Sequence, residues 1–300
     1  MDTIRLGTRG SLLARSQAAL VAGEIQRRFP VQVETIVLAT TGDKILDRPL
    51  YDAGGKGLFI KELEQALLDS QIDFAVHSCK DVPVTMPLVD QSGLIIAAIP
   101  PRLDPHDVLI SPLGTFIDEL PHNCTVATGS LRRKCQLLFR RPDFAIHPIR
   151  GNIDTRIRKI QSGEFGATIL ALAGIKRAGL FDHSIMHFIS ADVMLPAPGQ
   201  GALALQCRLG DGDTLKILTQ LDDHFTRAAV EAERAVVAAL KCDCHSPIAV
   251  LAEFEDQSLR IRAALGQREG NPPIRHAISI APLTKIADAI ADVVKQLSFH

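Results

Sequence analysis

Residues 77–83 (His-Ser-Cys-Lys-Asp-Val-Pro) place a cation beside a carboxylate, directly after a short apolar segment at residues 74–76. If that segment is a strand of an open α/β sheet, the run lies at its carboxyl end, where such sheets bind their ligands. Lys80 would then contact an anion, and Asp81 could move protons beside it. The alternative is a surface ion pair worth under about 1 kcal/mol. The spacing alone leaves both interpretations open.

Two further segments combine small residues with arginines at predicted helix starts. Residues 128–133 (Thr-Gly-Ser-Leu-Arg-Arg) precede one helix, and residues 150–156 (Arg-Gly-Asn-Ile-Asp-Thr-Arg) repeat the design after the next predicted strand. Helix N-termini attract anions, and the guanidinium fork matches a carboxylate. The repetition predicts a polyanionic ligand, with a solvated helix face as the alternative. Nucleic acid is disfavoured, because neither segment holds an aromatic residue for base stacking.

The charge is distributed unevenly along the chain. Residues 132–159 hold nine basic and two acidic residues, a net charge of +7, although the whole chain carries −1. The remainder therefore carries −8, and the basic segment is expected to bind something anionic. The isoelectric point near 6.8 disfavours a nucleic-acid binder, whose affinity would fall steeply with salt.

Residues 242–245 (Cys-Asp-Cys-His) follow a predicted helix and hold two of the six cysteines. They admit three interpretations: ordinary thiols, a metal site, or a thiolate that carries a covalent group. We expect no metal, because no second ligand cluster accompanies them. The scattered cysteines fit reduced thiols better than a disulfide framework.

Residues 54–57 (Gly-Gly-Lys-Gly) form a glycine-rich segment around Lys56. It lacks the spacing and the Ser or Thr of a phosphate-binding P-loop. A flexible turn and a functional lid are both consistent with it.

The apolar pattern predicts two α/β units followed by a smaller α+β unit. The first unit is predicted to have helices at residues 11–29 and 59–68 and strands at 4–6, 31–39, 74–76 and 93–99. The second unit is predicted to have helices that begin near Ser130, Ile153 and Gly174 and strands at 108–110, 125–127, 144–149 and 168–172. This alternation argues for mostly parallel sheets. A strand at 202–207, a helix at 226–240, strands at 248–253, 259–265 and 275–280, and a helix at 284–297 complete the chain.

No run of about eighteen apolar residues predicts a membrane span. The first residues lead directly into a strand pattern without the charged start and apolar core of a signal peptide. A cytoplasmic location is therefore expected. Nothing in the sequence demands a partner chain, so a monomer is expected.

Taken together, these segments resemble the hydroxymethylbilane synthases, also called porphobilinogen deaminases. The resemblance runs over nearly the whole chain and rests on eight motifs in order: residues 6–14 (LGTRGSLLA), 42–43 (GD), 54–59 (GGKGLF), 75–83 (AVHSCKDVP), 130–133 (SLRR), 150–152 (RGN), 170–174 (LALAG) and 198–202 (PGQGA). No single motif decides the matter, but eight in sequence leave little room for coincidence.

The resemblance implies three domains. Domain 1 would comprise residues 1–99 and 200–218, domain 2 residues 103–195, and domain 3 residues 220–300. The first two resemble the α/β halves of a periplasmic binding protein, with a cleft between them and a chain that crosses twice. Domain 3 would be the small α+β unit.

The resemblance also implies a cofactor and a reaction. The cofactor is dipyrromethane, two linked pyrroles held by a thioether to Cys244. Four porphobilinogen units are added with loss of ammonia, and the linear tetrapyrrole is then released by hydrolysis. Each pyrrole carries an acetate and a propionate, so the growing chain is a polyanion that needs fixed cations.

Site residues carry over from the family motifs as follows. Asp81 would be the catalytic carboxylate. The cofactor would be held by Cys244, Lys80, Asp81, Thr128, Ser130, Arg132, Arg133 and Phe59. The substrate would be held by Arg9, Ser11, Lys56, Arg150, Arg156, Arg177 and Gln200. No metal is implied.

The sequence departs from the family pattern in four places. Cys242-Asp243 stands where Gly-Gly is common before the cofactor cysteine, which offers a second thiol that could compete for attachment. Thr41, Asp52 and Gly129 replace a basic residue, a Lys and a Ser respectively. These changes affect the finer anion contacts and leave the Lys80-Asp81 and Arg132-Arg133 pairs in place.

The main rival class is a binding protein that holds an anion without chemistry, because folds of this kind serve both purposes. Asp81 and Cys244 discriminate between the two, since simple anion binding needs neither residue.

Overall fold

The computed structural model describes residues 2–39, 60–84, 89, 93–243, 246–267 and 269–298. The chain divides into two compact units, Met1–Leu103 with Ala202–Arg227, and Asp104–Gly201 with Ala228–His300. It therefore passes from the first unit to the second, returns, and leaves again. The finer division into three domains stays a prediction.

The strands and helices follow in chain order. The strands are β1 (Thr3–Arg9), β2 (Gln32–Leu38), β3 (Phe74–Ser78), β4 (Leu94–Ala98), β5 (Asp107–Ile110), β6 (Thr125–Ala127), β7 (Ala145–His147), β8 (Ala167–Ala171), β9 (Met186–Ile189), β10 (Leu203–Arg208), β11 (Ile248–Glu255), β12 (Ser258–Leu265) and β13 (Arg275–Pro282). The helices are α1 (Leu12–Arg28), α2 (Lys61–Leu68), α3 (Leu131–Arg140), α4 (Ile153–Gln161), α5 (Leu172–Arg177), α6 (Gly212–Leu218), α7 (His224–Ala239) and α8 (Ile286–Ser298).

The first unit is built on a five-stranded sheet with the order β2-β1-β3-β10-β4. Ser11 caps α1, and its Oγ accepts a 3.3 Å hydrogen bond from the backbone N–H of Ala14. The apolar stripe of α1 then packs on the sheet through Ala18, Val21 and Ile25, as its helical spacing predicted.

The second unit contains a sheet of the same design, with the order β7-β6-β8-β5-β9. Its core includes the β-strand residues Leu109, Val126 and Ile169 together with Leu137 of α3. In each sheet the first three strands in this order are parallel to one another. The fourth strand, β10 or β5, is antiparallel to both its neighbours. The predicted pair of α/β domains is confirmed.

The expectation of mostly parallel sheets was wrong, because two of the four strand pairings in each sheet are antiparallel. β10 and β5 each enter their sheet directly after the chain has crossed from the other unit. They are not joined to a neighbour through a strand–helix–strand crossover, so the geometry that forces parallel pairing does not apply to them.

The last segment forms a three-stranded antiparallel sheet, β11-β12-β13, with α8 packed on it, which confirms the predicted small α+β domain. One face of this sheet buries Ala249, Leu251 and Ala264 against Ala191 and Leu195, which belong to the earlier segment of the same unit. The sequence pattern had not indicated β9 or α6, which are only four and seven residues long.

None of the described helices combines the length and the apolar character needed to cross a membrane. The described cysteines Cys79, Cys124, Cys135, Cys207 and Cys242 are free thiols.

Candidate active site

Lys80 and Asp81 lie at the carboxyl edge of the first sheet. They form a one-turn 3-10 helix, Cys79–Asp81, immediately after β3. Arg9 ends the parallel neighbour β1, and Ser11 follows it as the cap of α1. Because parallel neighbours end at the same edge of a sheet, this edge gathers two cations, a hydroxyl and an exposed carboxylate.

The backbone around the Lys80–Asp81 turn is held from two sides. The N–H of Cys79 donates to Ala202 O at 3.0 Å, where β10 begins beside β3. Gln17 of α1 exchanges hydrogen bonds with Ser78, at 2.9 Å from Nε2 to Oγ and 3.3 Å from Oγ to Oε1. The Lys80–Asp81 turn is therefore held in place by both the sheet and α1. Such support is expected for functional side chains, which must be positioned accurately.

A chain of buried polar side chains runs beneath this turn. His77 Nε2 lies 3.0 Å from Gln206 Oε1, and Gln206 Nε2 donates to Glu64 Oε1 at 2.9 Å. All three residues are buried. Burial, together with the positive charge of Arg9 and against the hydrogen bond to Gln206, lowers the pKa of His77 to about 4, so the imidazole is neutral at pH 7.

The second sheet presents its own carboxyl edge. Thr128 follows β6 and its N–H donates to His147 O, at the end of the parallel neighbour β7, at 2.8 Å. Ser130 caps α3, accepting at Oγ from the N–H of Arg133 at 3.4 Å, and its own N–H donates to Thr128 Oγ1 at 3.2 Å. The two hydroxyl residues thus set the angle at which α3 leaves the sheet.

Asp107 is the centre of the charge cluster in this unit. The start of β5 pairs with the end of β8, so Asp107 lies at the same edge as the first turn of α3. Its Oδ2 accepts from Arg132 Nη1 at 2.7 Å, and its Oδ1 accepts from Arg133 Nη2 at 2.8 Å. All three side chains are buried. The two guanidinium charges hold the pKa of Asp107 far below its ordinary value, against the opposing effect of burial.

The arginine–aspartate cluster is tied to the segment in which the chain returns toward the first unit. Gln200 Nε2 donates to Asp107 Oδ1 at 2.9 Å and to Pro105 O at 2.6 Å. Arg132 Nη1 also donates to Leu195 O at 2.7 Å. Gln200 is fully buried, so its amide serves this internal network.

The remaining arginines follow the neighbouring strands of the same sheet. Arg150 comes after β7 and precedes Gly151, whose φ of +108° favours glycine. Arg156 Nε donates back to Gly151 O at 2.8 Å and so closes this turn. Arg177 ends α5 and donates to Gly201 O at 2.8 Å. Burial lowers the pKa of Arg177 to about 10, which leaves it charged at pH 7.

Glu233 of α7 holds the crossing segment from the other side. Its Oε2 accepts from the N–H of Gly199 at 2.6 Å, and its Oε1 accepts from the N–H of Ala252 in β11 at 2.9 Å. The carboxylate is fully buried. It therefore joins the Pro-Gly-Gln-Gly segment to the C-terminal sheet.

Three of the predicted site residues, Phe59, Lys56 and Cys244, lie outside the described residues. Asp243 and Ser246, which stand on either side of residues 244 and 245 in the sequence, hydrogen-bond to each other. Ser246 Oγ accepts from the N–H of Asp243 at 3.0 Å and donates to Asp243 Oδ1 at 3.1 Å. Burial raises the pKa of the Cys242 thiol, so Cys242 is a poor nucleophile at pH 7.

The residues at the Asp107 cluster fit a further carboxylate. Two arginines and one aspartate leave a net charge of +1 in a buried place. Within the described part of the chain, the Nε atoms of Arg132 and Arg133 are buried and have no hydrogen-bond partner. Buried donors of this kind are costly when unsatisfied, and an acidic ligand would supply the missing acceptors.

Sequence reasoning missed Asp107 and Glu233. A signal existed for each, because an acidic residue stood where the local pattern called for an apolar one. Asp107 opens the apolar run of β5, and Glu233 lies on the buried stripe of α7 with Ala229, Val230 and Val237. A charge on a buried face needs a partner, and the net basic segment of residues 132–159 supplied one for Asp107.

Two α/β units of one strand order, one placing Lys80 beside an exposed Asp81 and the other burying an arginine pair around Asp107, define a class of two-unit α/β protein with cations at its sheet edges. Comparison with known proteins gives this class its family. Residues 4–216 match the porphobilinogen deaminase dipyromethane cofactor binding domain, and residues 227–297 match the porphobilinogen deaminase C-terminal domain. The chain belongs to the porphobilinogen deaminase family.

Individual relatives agree with this assignment. The porphobilinogen deaminase of Syntrophotalea carbinolica is 44% identical over 290 residues, covering 96% of this chain and 90% of that protein. The porphobilinogen deaminase of Brevibacillus brevis is 46% identical over 272 residues, covering 90% and 86%. An arginine-specific periplasmic binding protein of Salmonella typhimurium is 12% identical, covers 76% of this chain and 94% of its own, and has a TM-score of 0.42. That structural likeness is too low to carry an argument.

The chain is accordingly a transferase of tetrapyrrole biosynthesis with hydroxymethylbilane synthase activity, and its cofactor is dipyrromethane.

Proposed function

We propose that Cys244 carries the dipyrromethane and that the Asp107 cluster receives its acidic side chains. The observation that carries this proposal is the pair of buried, partnerless Nε donors on Arg132 and Arg133. Asp107 orients both guanidinium groups and compensates one of their two charges. The remaining charge favours a bound carboxylate, and Thr128 and Ser130 add hydroxyl groups at the start of the same helix.

Asp81 is the catalytic carboxylate in this proposal. Each addition forms a carbon–carbon bond to the aminomethyl carbon of porphobilinogen and breaks its carbon–nitrogen bond, which releases ammonia. The pyrrole that loses ammonia becomes a cationic azafulvene, and an adjacent carboxylate stabilises that charge. The same carboxylate can accept the proton that the attacking pyrrole carbon loses. Lys80 binds a carboxylate beside it. When bound, the dipyrromethane supplies the primer from which the chain grows.

The other site residues hold the substrate and the growing chain. Arg9, Ser11, Lys56, Arg150, Arg156 and Arg177 supply cations and a hydroxyl for acetate and propionate groups, and Phe59 packs against the pyrrole rings. The family motif assigns Gln200 to the substrate as well. Because its amide donates to Asp107 and Pro105, Gln200 also positions Asp107.

The wider assignments rest on the family resemblance. We propose three domains, comprising residues 1–99 with 200–218, residues 103–195 and residues 220–300. We also propose that the protein works as a monomer in the cytoplasm and takes porphobilinogen as its substrate. Size-exclusion chromatography with light scattering would test the monomer, and a stable dimer at micromolar concentration would contradict it.

The test of attachment is the intact mass of the denatured protein, measured for the wild type, Cys244→Ser and Cys242→Ser. An excess of two pyrrole units, lost only in Cys244→Ser, is the expected result. An excess lost only in Cys242→Ser would move the attachment to the neighbouring thiol. No excess in any preparation, even after incubation with porphobilinogen, would overturn the proposal.

A further inference from the structure

Helix α3 carries its functional and structural contacts on two different faces. Arg132, Arg133 and Gln136 face Asp107 and Leu195. Residues 131, 134 and 135, spaced for a single face of a helix, meet the β12–β13 loop of the C-terminal sheet. The loop therefore supports α3 on the face formed by residues 131, 134 and 135, while Arg132 and Arg133 lie on the other face.

The contacts between α3 and the loop are close. Cys135 Sγ donates to Asn271 O at 3.1 Å, and Lys134 Nζ donates to Glu269 O at 3.0 Å. Burial raises the pKa of the Cys135 thiol, which keeps its donor proton in place. Gly270 has a φ of +71°, and a Cβ there would lie 2.9 Å from Leu131 O, so the loop backbone lies directly against the helix.

Gly266 is the tightest point of this contact. A methyl group on Gly266 would overlap Cys135 Sγ and would lie 3.1 Å from Cys135 Cβ and 3.5 Å from Pro247 Cβ. The Gly266 N–H also donates to Pro247 O at 3.0 Å. Pro247 is three residues beyond Cys244. Gly266 thus touches both the helix that bears the arginines and the chain that leads out of the cysteine loop.

We propose that Gly266 is a positioning residue for the cofactor, because its missing side chain sets the distance between Pro247, three residues beyond Cys244, and the arginine turn of α3. The inference rests on the proposed attachment at Cys244. A dipyrromethane that is covalently bound at Cys244 can reach Arg132 and Arg133 only if the distance between its attachment point and α3 is kept constant. A displacement of about 1 Å is enough to impair such a site. The methyl of alanine would force a shift of that kind at Cys135.

The experiment compares Gly266→Ala with the swap Gly266→Ala/Cys135→Ala, in which the new methyl occupies the space of the removed sulfur. Gly23→Ala is the matched control, since a Cβ at Gly23 meets nothing within 4 Å. Each protein is made with Cys244 and with Cys244→Ser. Two quantities are measured: the dipyrromethane content from intact mass, and the rise in Tm that Cys244 confers over Cys244→Ser.

We expect Gly266→Ala to lower the cofactor content and to reduce the Cys244-dependent rise in Tm by about half or more. The swap should restore both, and Gly23→Ala should change neither. An equal drop in Tm with and without Cys244, at full cofactor content, would show that Gly266 only avoids a steric clash with Cys135. That result would overturn the proposal.

Two further outcomes keep the test decisive. If Gly266→Ala gives no folded protein, Cys135→Ala alone opens the same contact without overlap. It should reduce the Cys244-dependent rise in Tm, and an equal shift in both backgrounds would again overturn the proposal. A wild type without cofactor, or a Cys244→Ser protein that retains it, would contradict the proposed attachment itself, a result separate from any effect at Gly266.

Discussion

Asp107 and Arg132 form an ion pair 2.7 Å long in which neither side chain is more than 5% exposed. Arg133 and Gln200 occupy the other carboxylate oxygen. Arg132 and Arg133, which we propose bind the acidic side chains of the cofactor, are thus oriented by an internal carboxylate before any ligand arrives. A buried charge that is already held in place loses little conformational entropy on binding, which favours a tight and specific anion site.

Replacing Asp107 with Asn should destabilise the protein by about 3–5 kcal/mol, because two buried guanidinium groups would lose their counter-charge. Urea unfolding at pH 7 measures this change. Asp118→Asn is the control, because Asp118 pairs with Arg140 where both are substantially exposed. It should cost no more than about 1 kcal/mol. Equal losses in the two variants would contradict a special role for the buried pair.

The same carboxylate predicts how stability responds to acid. The pKa of Asp107 is lowered in the folded protein. Its contribution is therefore fully present above the unfolded pKa of about 4 and is lost as the pH falls below that value. Asp107→Asn lacks this titration, so its free energy of unfolding should fall less steeply than that of the wild type between about pH 4 and pH 2. Parallel curves for the two proteins would rule the effect out.

His77 predicts a second response at milder pH. Its folded pKa of about 4 lies below the unfolded value of about 6.5. The unfolded chain therefore binds the proton first, and stability falls as the pH drops from about 6.5 toward 4, by about 3 kcal/mol in all. His77→Gln, which can still donate to Gln206, should remove most of this dependence. The exposed His183→Gln should leave it unchanged, and urea midpoints at several pH values would distinguish them.

The sequence predicted local features well where a single element decides the outcome. Helix α1 follows from Ser11 and a stripe of apolar residues, and β6 lies at the predicted residues 125–127. Prediction from the sequence failed for features that depend on residues far apart in the chain. The antiparallel entry of β5 and β10 is set by the chain crossing between units, which apolar periodicity does not record.

The candidate site shows the same division. Motif positions such as Lys80, Asp81 and Arg132 could be named from the chain alone. Their supports could not, because Asp107 lies 25 residues before Arg132 and Glu233 lies 34 residues after Gly199. These pairs form only when the second sheet and the C-terminal sheet are assembled, so short-range spacing carries no information about them.

Glu233→Gln should weaken the anchor of the crossing segment. The amide can replace only one of the two oxygens, and its NH₂ group would oppose the N–H of Gly199 or Ala252. Leaving a buried donor unpaired costs about 1–3 kcal/mol. Urea unfolding would record the loss, and faster amide exchange at both residues would locate it. Glu231→Gln, on the exposed side of the same helix, is the control. Unchanged exchange at Gly199 would contradict this account.

Asp81→Asn tests the proposed chemistry directly. Asn keeps the size of the side chain but neither carries a negative charge nor accepts a proton, so kcat should fall by about 10²–10⁴-fold. The free energy of unfolding should be unchanged, because Asp81 is exposed. Asp81→Glu should recover part of the rate, since it restores the carboxylate with a longer reach. The exposed Asp69→Asn should turn over as the wild type does. If Asp81→Asn retained the cofactor and lost less than about tenfold in kcat, the catalytic carboxylate would have to be sought elsewhere on this edge of the sheet.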